Sequence, residues 1–198
     1  CKVTVIRMAQ SIELSFDKEY LWVGESGNIT ATVLPEDTTD KRVVFSSSDE
    51  SIATVDENGV VTAIGAGEAV ITVTTTDGRA TKDITVEVRK QAEGIEISET
   101  EKTVSVDDVF TLTASVLPAE AYNKDVIWTS SDEEVIKVEN GTVTALKTGE
   151  AVITVKSAEN EEIKAECKVT VIRMAQSIEL SFDKEYLWVG ETGNVTVN

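Results

Sequence analysis

The chain of 198 residues carries 18 Lys and Arg against 36 Asp and Glu, a formal net charge of −18, and contains no histidine. So acidic a polymer is repelled by phosphate backbones and anionic membrane surfaces, which makes nucleic acid a poor partner, and the missing imidazole removes most hydrolase and zinc chemistry. Hydrophobic residues at 41% with aromatics at only 5% leave a core to be built from Val, Ile, Leu and Ala, and two prolines with clear apolar periodicity exclude a disordered acidic tail.

Taken in chain order, a leading CKVTVIR is followed by short, β-branched and mostly alternating runs. These are SIELS (11–15), YLWVG (20–24), NITATVLP (28–35), RVVFSSS (42–48), SIATVD (51–56), GVVTAIG (59–65), EAVITVTT (68–75) and DITVEV (83–88). Gly, Asn, Asp and Pro punctuate them. Within the seventh run Ile71 and Val73 point one way while Thr72 and Thr74 point the other, the pattern of a sheet with one buried and one wet face. The turn at Glu57-Asn58-Gly59 predicts a tight hairpin, because Asn and Gly tolerate the positive φ it demands. No apolar run approaches the roughly 18 residues that span a bilayer, and the first residues do not form a signal peptide. The stretch reads as a mature or excised portion with no membrane-spanning segment.

The same elements then recur. Residues 1–25, CKVTVIRMAQSIELSFDKEYLWVGE, return letter for letter at 167–191, an offset of 166. A weaker echo lies at 83, pairing Ile12 with Ile95, Leu34-Pro35 with Leu117-Pro118, and Phe45 with Trp128. A one-residue deletion then sets Asn58-Gly59 on Asn140-Gly141, and a compensating insertion pairs Ile84 with Cys167. The expected domains are 8–90 and 91–173, with 1–7 the last strand of a preceding domain and 174–198 the first strands of a following one. The near-identity at 166 points to an array in which domains were duplicated in pairs.

Roughly eight short strands in each repeat, with turn signals every 8–12 residues or so, predict an all-β fold of tandem immunoglobulin-like antiparallel β-sandwiches in a rod-like array. Phe45 and Trp128 are placed as core aromatics. The junction Val88-Arg89-Lys90-Gln91-Ala92-Glu93 has no Pro or Gly and little slack, so the linker is expected to be short and stiff, and terminal strands to be loaded in shear.

The runs FSSSDESIATVDENGVVTAIGAGEAVITV (45–73) and WTSSDEEVIKVENGTVTALKTGEAVITV (128–155) resemble the bacterial immunoglobulin-like domain, group 2, of invasin- and intimin-type surface proteins. Phe45 stands where that family more usually has Trp. The resemblance implies spacer or stalk repeats of a long extracellular protein at the bacterial cell surface, with neighbouring identical domains as partners. It also admits a building block of an extracellular fibre or a phage structural protein, and a ligand- or glycan-binding adhesin that meets a host or cell-surface ligand.

No catalytic, cofactor or metal site is expected, and no enzyme. Cys1 and Cys167 occupy one repeat position in different sandwiches, which argues against a disulfide between them and for a buried apolar role. Acidic clusters at Glu36, Asp37 and Asp40, at Asp49 and Glu50, at Asp56 and Glu57, and at Asp132, Glu133 and Glu134 lack the alternating Asp pattern of a calcium loop. The triplets beginning at Asn28, Asn140 and Asn194 read as turn and strand residues. Tyr20 with Trp22, repeated as Tyr186 with Trp188, reads as core or edge packing, with a sugar-stacking platform as the rival.

Overall fold

The computed structural model describes residues 6–174 and 179–197, so Cys1, most of the expected leading strand 1–7, and residues 175–178 of the expected trailing segment lie outside the described residues. The chain clusters into two compact units, one of Cys1–Glu96, Ala114–Ile127 and Lys156–Ala165, the other of Ile97–Thr113, Trp128–Val155 and Glu166–Asn198. The segments 114–127 and 156–165 of the second repeat thus cluster with the first repeat. No helix of the described residues is long and apolar enough to cross a membrane.

In the first unit, strands β1 (Ser11–Phe16), β2 (Leu21–Trp22), β3 (Ser26–Leu34), β4 (Val43–Ser47), β5 (Ala53–Val55), β6 (Val60–Ala63), β7 (Gly67–Thr75) and β8 (Thr81–Arg89) build two four-stranded sheets. Their orders are β1-β3-β6-β5 and β2-β8-β7-β4. The alternation in β7 buries Ala69, Ile71, Val73 and Thr75 while the residues between them face out. Ala69 and Ile71 meet Leu21, Ile29, Ala53, Val61, Val86 and Val88 in one apolar cluster, Val73 meets Ile12 and Ala80 in a second, and Phe45 packs against both.

Most pairs run antiparallel, but β2 lies parallel to β8, with Leu21 opposite Val88 and Trp22 opposite Arg89. The cause is topological. The chain enters in one sheet as β1 and crosses to the other as β2, which puts a forward-running strand beside the forward-running final strand.

The second repeat follows the same plan. Strands β9 (Gly94–Ile97), β10 (Glu101–Ser105), β11 (Val109–Thr111), β12 (Ala114–Leu117), β13 (Val126–Ser130), β14 (Ile136–Glu139), β15 (Thr142–Ala145), β16 (Gly149–Ser157) and β17 (Lys164–Ile172) follow the first set in order. The parallel pair recurs as β10 with β17. One long strand, β3, is replaced by two short ones, β11 and β12. At the break the Ser98 hydroxyl takes the Thr113 N–H at 3.1 Å, a bond that the ladder carries in the first copy. The second core gathers Leu112, Ile136, Val143, Ile153, Cys167, Val169 and Val171, with Trp128 packed against it. Beyond it β18 (Leu180–Phe182) pairs with β19 (Val195–Val197).

The one-residue deletion between repeats changes the class of a hairpin. In the first copy Asp56 N–H donates to Val60 O at 3.0 Å and Gly59 N–H to Asp56 O at 3.1 Å, a three-residue loop with Gly59 alone at positive φ (81°). In the second, Glu139 faces Thr142 across a two-residue loop, with Asn140 at φ 48° and Gly141 at 82°. That is the Asn-Gly turn whose twist matches that of its strands.

Candidate functional site

The acidic clusters are tied to their own turns. Asp49 accepts from the Ser51 N–H at 2.9 Å and from the Ser51 hydroxyl at 2.5 Å. Asp56 accepts from the N–H groups of Asn58 at 2.8 Å and Val60 at 2.9 Å, and Asp132 from that of Glu134 at 2.9 Å. Asp40 is gripped by the Arg42 guanidinium at 2.9 and 2.6 Å, which drives its carboxyl far below the usual range, and Asp37 pairs with Arg7 at 3.0 Å. Side chains that accept from donors two residues on are turn formers. Among the described residues no three or more carboxylates, thiols or imidazoles converge as metal ligands.

The other singled-out residues also have structural positions. Cys167 is fully buried in β17, and burial pushes its thiol pKa up. Asn28 presents its backbone N–H at 2.8 Å and its side-chain amide at 3.0 Å to Asp17, and Asn194 does the same with Asp183. Asn140 is a turn residue at positive φ.

One cluster of long side chains stands apart, and all of it lies in the first unit. The Arg89 guanidinium at the end of β8 sits 3.8 Å from the ring centroid of Tyr20 and 4.0 Å from that of Tyr122. Glu87, two residues back on the same face, holds it from the side at 2.7 and 3.0 Å. That bidentate grip raises the guanidinium pKa, and Arg89 lowers that of Glu87 in return. Trp22 stands edge-on to both rings, with centroids 5.6 Å from Tyr20 and 6.4 Å from Tyr122. Although Tyr122 is 55% exposed, the Arg89 side chain is only 18% exposed.

Main-chain bonds reinforce the cluster. Val23 N–H donates to Arg89 O at 2.9 Å, Tyr122 N–H to Lys90 O at 2.7 Å, and Lys90 bridges Ala121 in parallel register. Chemically the site is a planar cation stacked between two π faces and locked in orientation by a carboxylate. It has no nucleophile beside a base. Arg89 covers one face of the Tyr20 ring.

Sequence reasoning singled out Tyr20 and Trp22 but missed Arg89 and Tyr122. A signal was present: at the 83-residue offset Arg89 aligns with Ile6 and Ile172, and Tyr122 with Thr39.

A family profile for the bacterial Ig-like domain (group 2) matches residues 8–86 and 91–169, and the chain belongs to that family. A Clostridium acetobutylicum protein, CA_P0160, is 36% identical over 169 residues, 84% of this chain and 18% of its own length. An Ig-like virion protein of Serratia phage KSP90 is 37% identical over 170 residues, 82% of this chain and 65% of its own length. The chain therefore spans less than two thirds of either relative. Among solved structures, the Escherichia coli adhesin FdeC superposes with a TM-score of 0.53 at 16% identity, over 98% of this chain and 75% of that one. That likeness is one of fold.

Proposed function

We propose that the chain is a run of non-catalytic structural repeats in a long extracellular bacterial surface or adhesion protein, with domains at 8–90 and 91–173. Residues 1–7 and 174–198 belong, on this reading, to the flanking domains. The observation that carries it is the hand-over at Lys90. Its carbonyl is already bonded to the Tyr122 N–H as the chain leaves β8, so no free linker separates consecutive repeats. Repeats strung in series in this way would carry whatever lies beyond them away from the surface that anchors the protein. Partners are then neighbouring repeats, with no nucleic acid.

A second reading, a building block of a fibre or virion, is favoured by the similarity to the Ig-like virion protein. Sedimentation of the chain at rising concentration separates the two. A spacer stays monomeric, whereas a fibre or virion component self-associates through an interface that buries more than about 1,000 Å2. A glycan or host protein captured by the monomer would replace both with an adhesive module.

A further inference from the structure

The cluster around Arg89 has a counterpart that lacks every one of its side chains. Tyr20, Trp22, Arg89 and Tyr122 align at the 83-residue offset with Thr103, Ser105, Ile6 or Ile172, and Thr39. The main-chain part of the contact survives. Thr39 N–H donates to Arg7 O at 2.9 Å, just as Tyr122 N–H donates to Lys90 O at 2.7 Å. In place of a stacked cation, the Arg7 N–H donates to Thr39 Oγ1 at 2.8 Å, and the Arg7 side chain pairs with Asp37 at 3.0 Å. At the longer offset the aromatic pair returns as Tyr186 and Trp188, again edge-on, with centroids 6.0 Å apart.

We propose that the 166-residue period encodes two kinds of repeat-to-repeat joint in strict alternation. One is clamped, with Arg89 stacked between Tyr20 and Tyr122. The other is looser, held by main-chain bonds and a single ion pair of the Arg7–Asp37 type. The physical contrast is large enough to matter. A lone ion pair between two long side chains contributes little, because both lose freedom on pairing. A guanidinium flanked by two rings and held bidentately by Glu87 keeps its orientation, and an ammonium would reproduce its charge but not its plane. Neutral drift would lose the four side chains one at a time. Here all four stand at one joint, and none of the equivalent positions that the chain contains at the 83-residue offset carries any of them.

The inference stands apart from what the array carries, and native-state trypsin digestion of the full chain tests it. Cleavage after Lys90 requires the clamp to open, so its rate follows the open population. Arg79, in the β7–β8 turn, is the internal reference for general loss of stability. Tyr122→Thr and Arg89→Ile install the residues of the looser joint, and Tyr122 is exposed enough that its loss empties no core. Each should raise cleavage after Lys90 about tenfold relative to Arg79, equivalent to about 1.4 kcal/mol. Tyr122→Phe keeps the ring and should cleave as the unaltered chain does, while Arg89→Lys keeps the charge but not the plane and should fall between. An unchanged Lys90 rate in Tyr122→Thr, or a rise shared equally with Arg79, overturns the proposal.

Discussion

Asp17 holds Asn28 twice, Oδ1 accepting from the backbone N–H at 2.8 Å and Oδ2 from the side-chain amide at 3.0 Å. The bonds lower the Asp17 pKa below its ordinary 3.8, the backbone bond most, and turn bonds do the same at Asp49, Asp56 and Asp77. The sign of the pH effect follows. As pH falls the unfolded chain takes up protons first, so the stability these groups contribute is present above the ordinary value and is lost as pH drops through their folded values. With no histidine to titrate, the melting temperature should stay flat between about pH 8 and 5 and fall below about pH 4. Calorimetry across that range checks it; a loss of stability between pH 8 and 6 would contradict it.

Gly59 and Gly78 make a matched pair. Both have positive φ, 81° and 69°, but a Cβ on Gly59 would lie 2.5 Å from Ile29 O and 3.0 Å from the Phe45 ring, whereas one on Gly78 meets nothing within 4 Å. Gly78→Ala should cost about 1 kcal/mol, the ordinary penalty for a left-handed backbone. Gly59→Ala must also displace the Ile29 carbonyl of β3, whose own N–H donates to Gly59 O, and should cost at least about twice as much. Urea denaturation of the two variants reads the difference.

Cys167 sits among Val and Ile in the second core. Cys167→Val should be tolerated within about 1.5 kcal/mol, while Cys167→Ser strands a hydroxyl there and should cost about 1–3 kcal/mol. Since burial keeps the thiol protonated, a disulfide reagent should label the folded chain slowly and the urea-unfolded chain at once.

Calcium should leave the chain unmoved. Asp49, Asp56, Asp77 and Asp132 already accept from neighbouring N–H groups, so a cation would have to displace those bonds to gain its six or more oxygens. Millimolar calcium should shift the melting temperature by less than about 1 °C; a rise several times larger would reveal a site.

The sheets were legible because alternation is a local property. Ile71 and Val73 inward with Thr72 and Thr74 outward could be read from four letters, and the buried place of Cys167 followed from its alignment with Ile84. The parallel seating of β2 on β8 was not legible, since it depends on where the chain crosses between sheets. Nor was the Arg89 cluster. Its members stand at positions 20, 22, 89 and 122, far apart in sequence, and a stacked cation has no periodicity. The missing residue before Asn140-Gly141 was visible as a gap, but only the φ values show that it exchanges one hairpin class for another.

Tyr20, Trp22, Arg89 and Tyr122 all fall inside one 166-residue period, so adding or removing whole periods would leave every such contact intact. Excising residues 8–90 alone would bring Ile6 to the place of Arg89 and leave the Tyr122 ring without its cation. Copy number in such an array is thereby counted in twos.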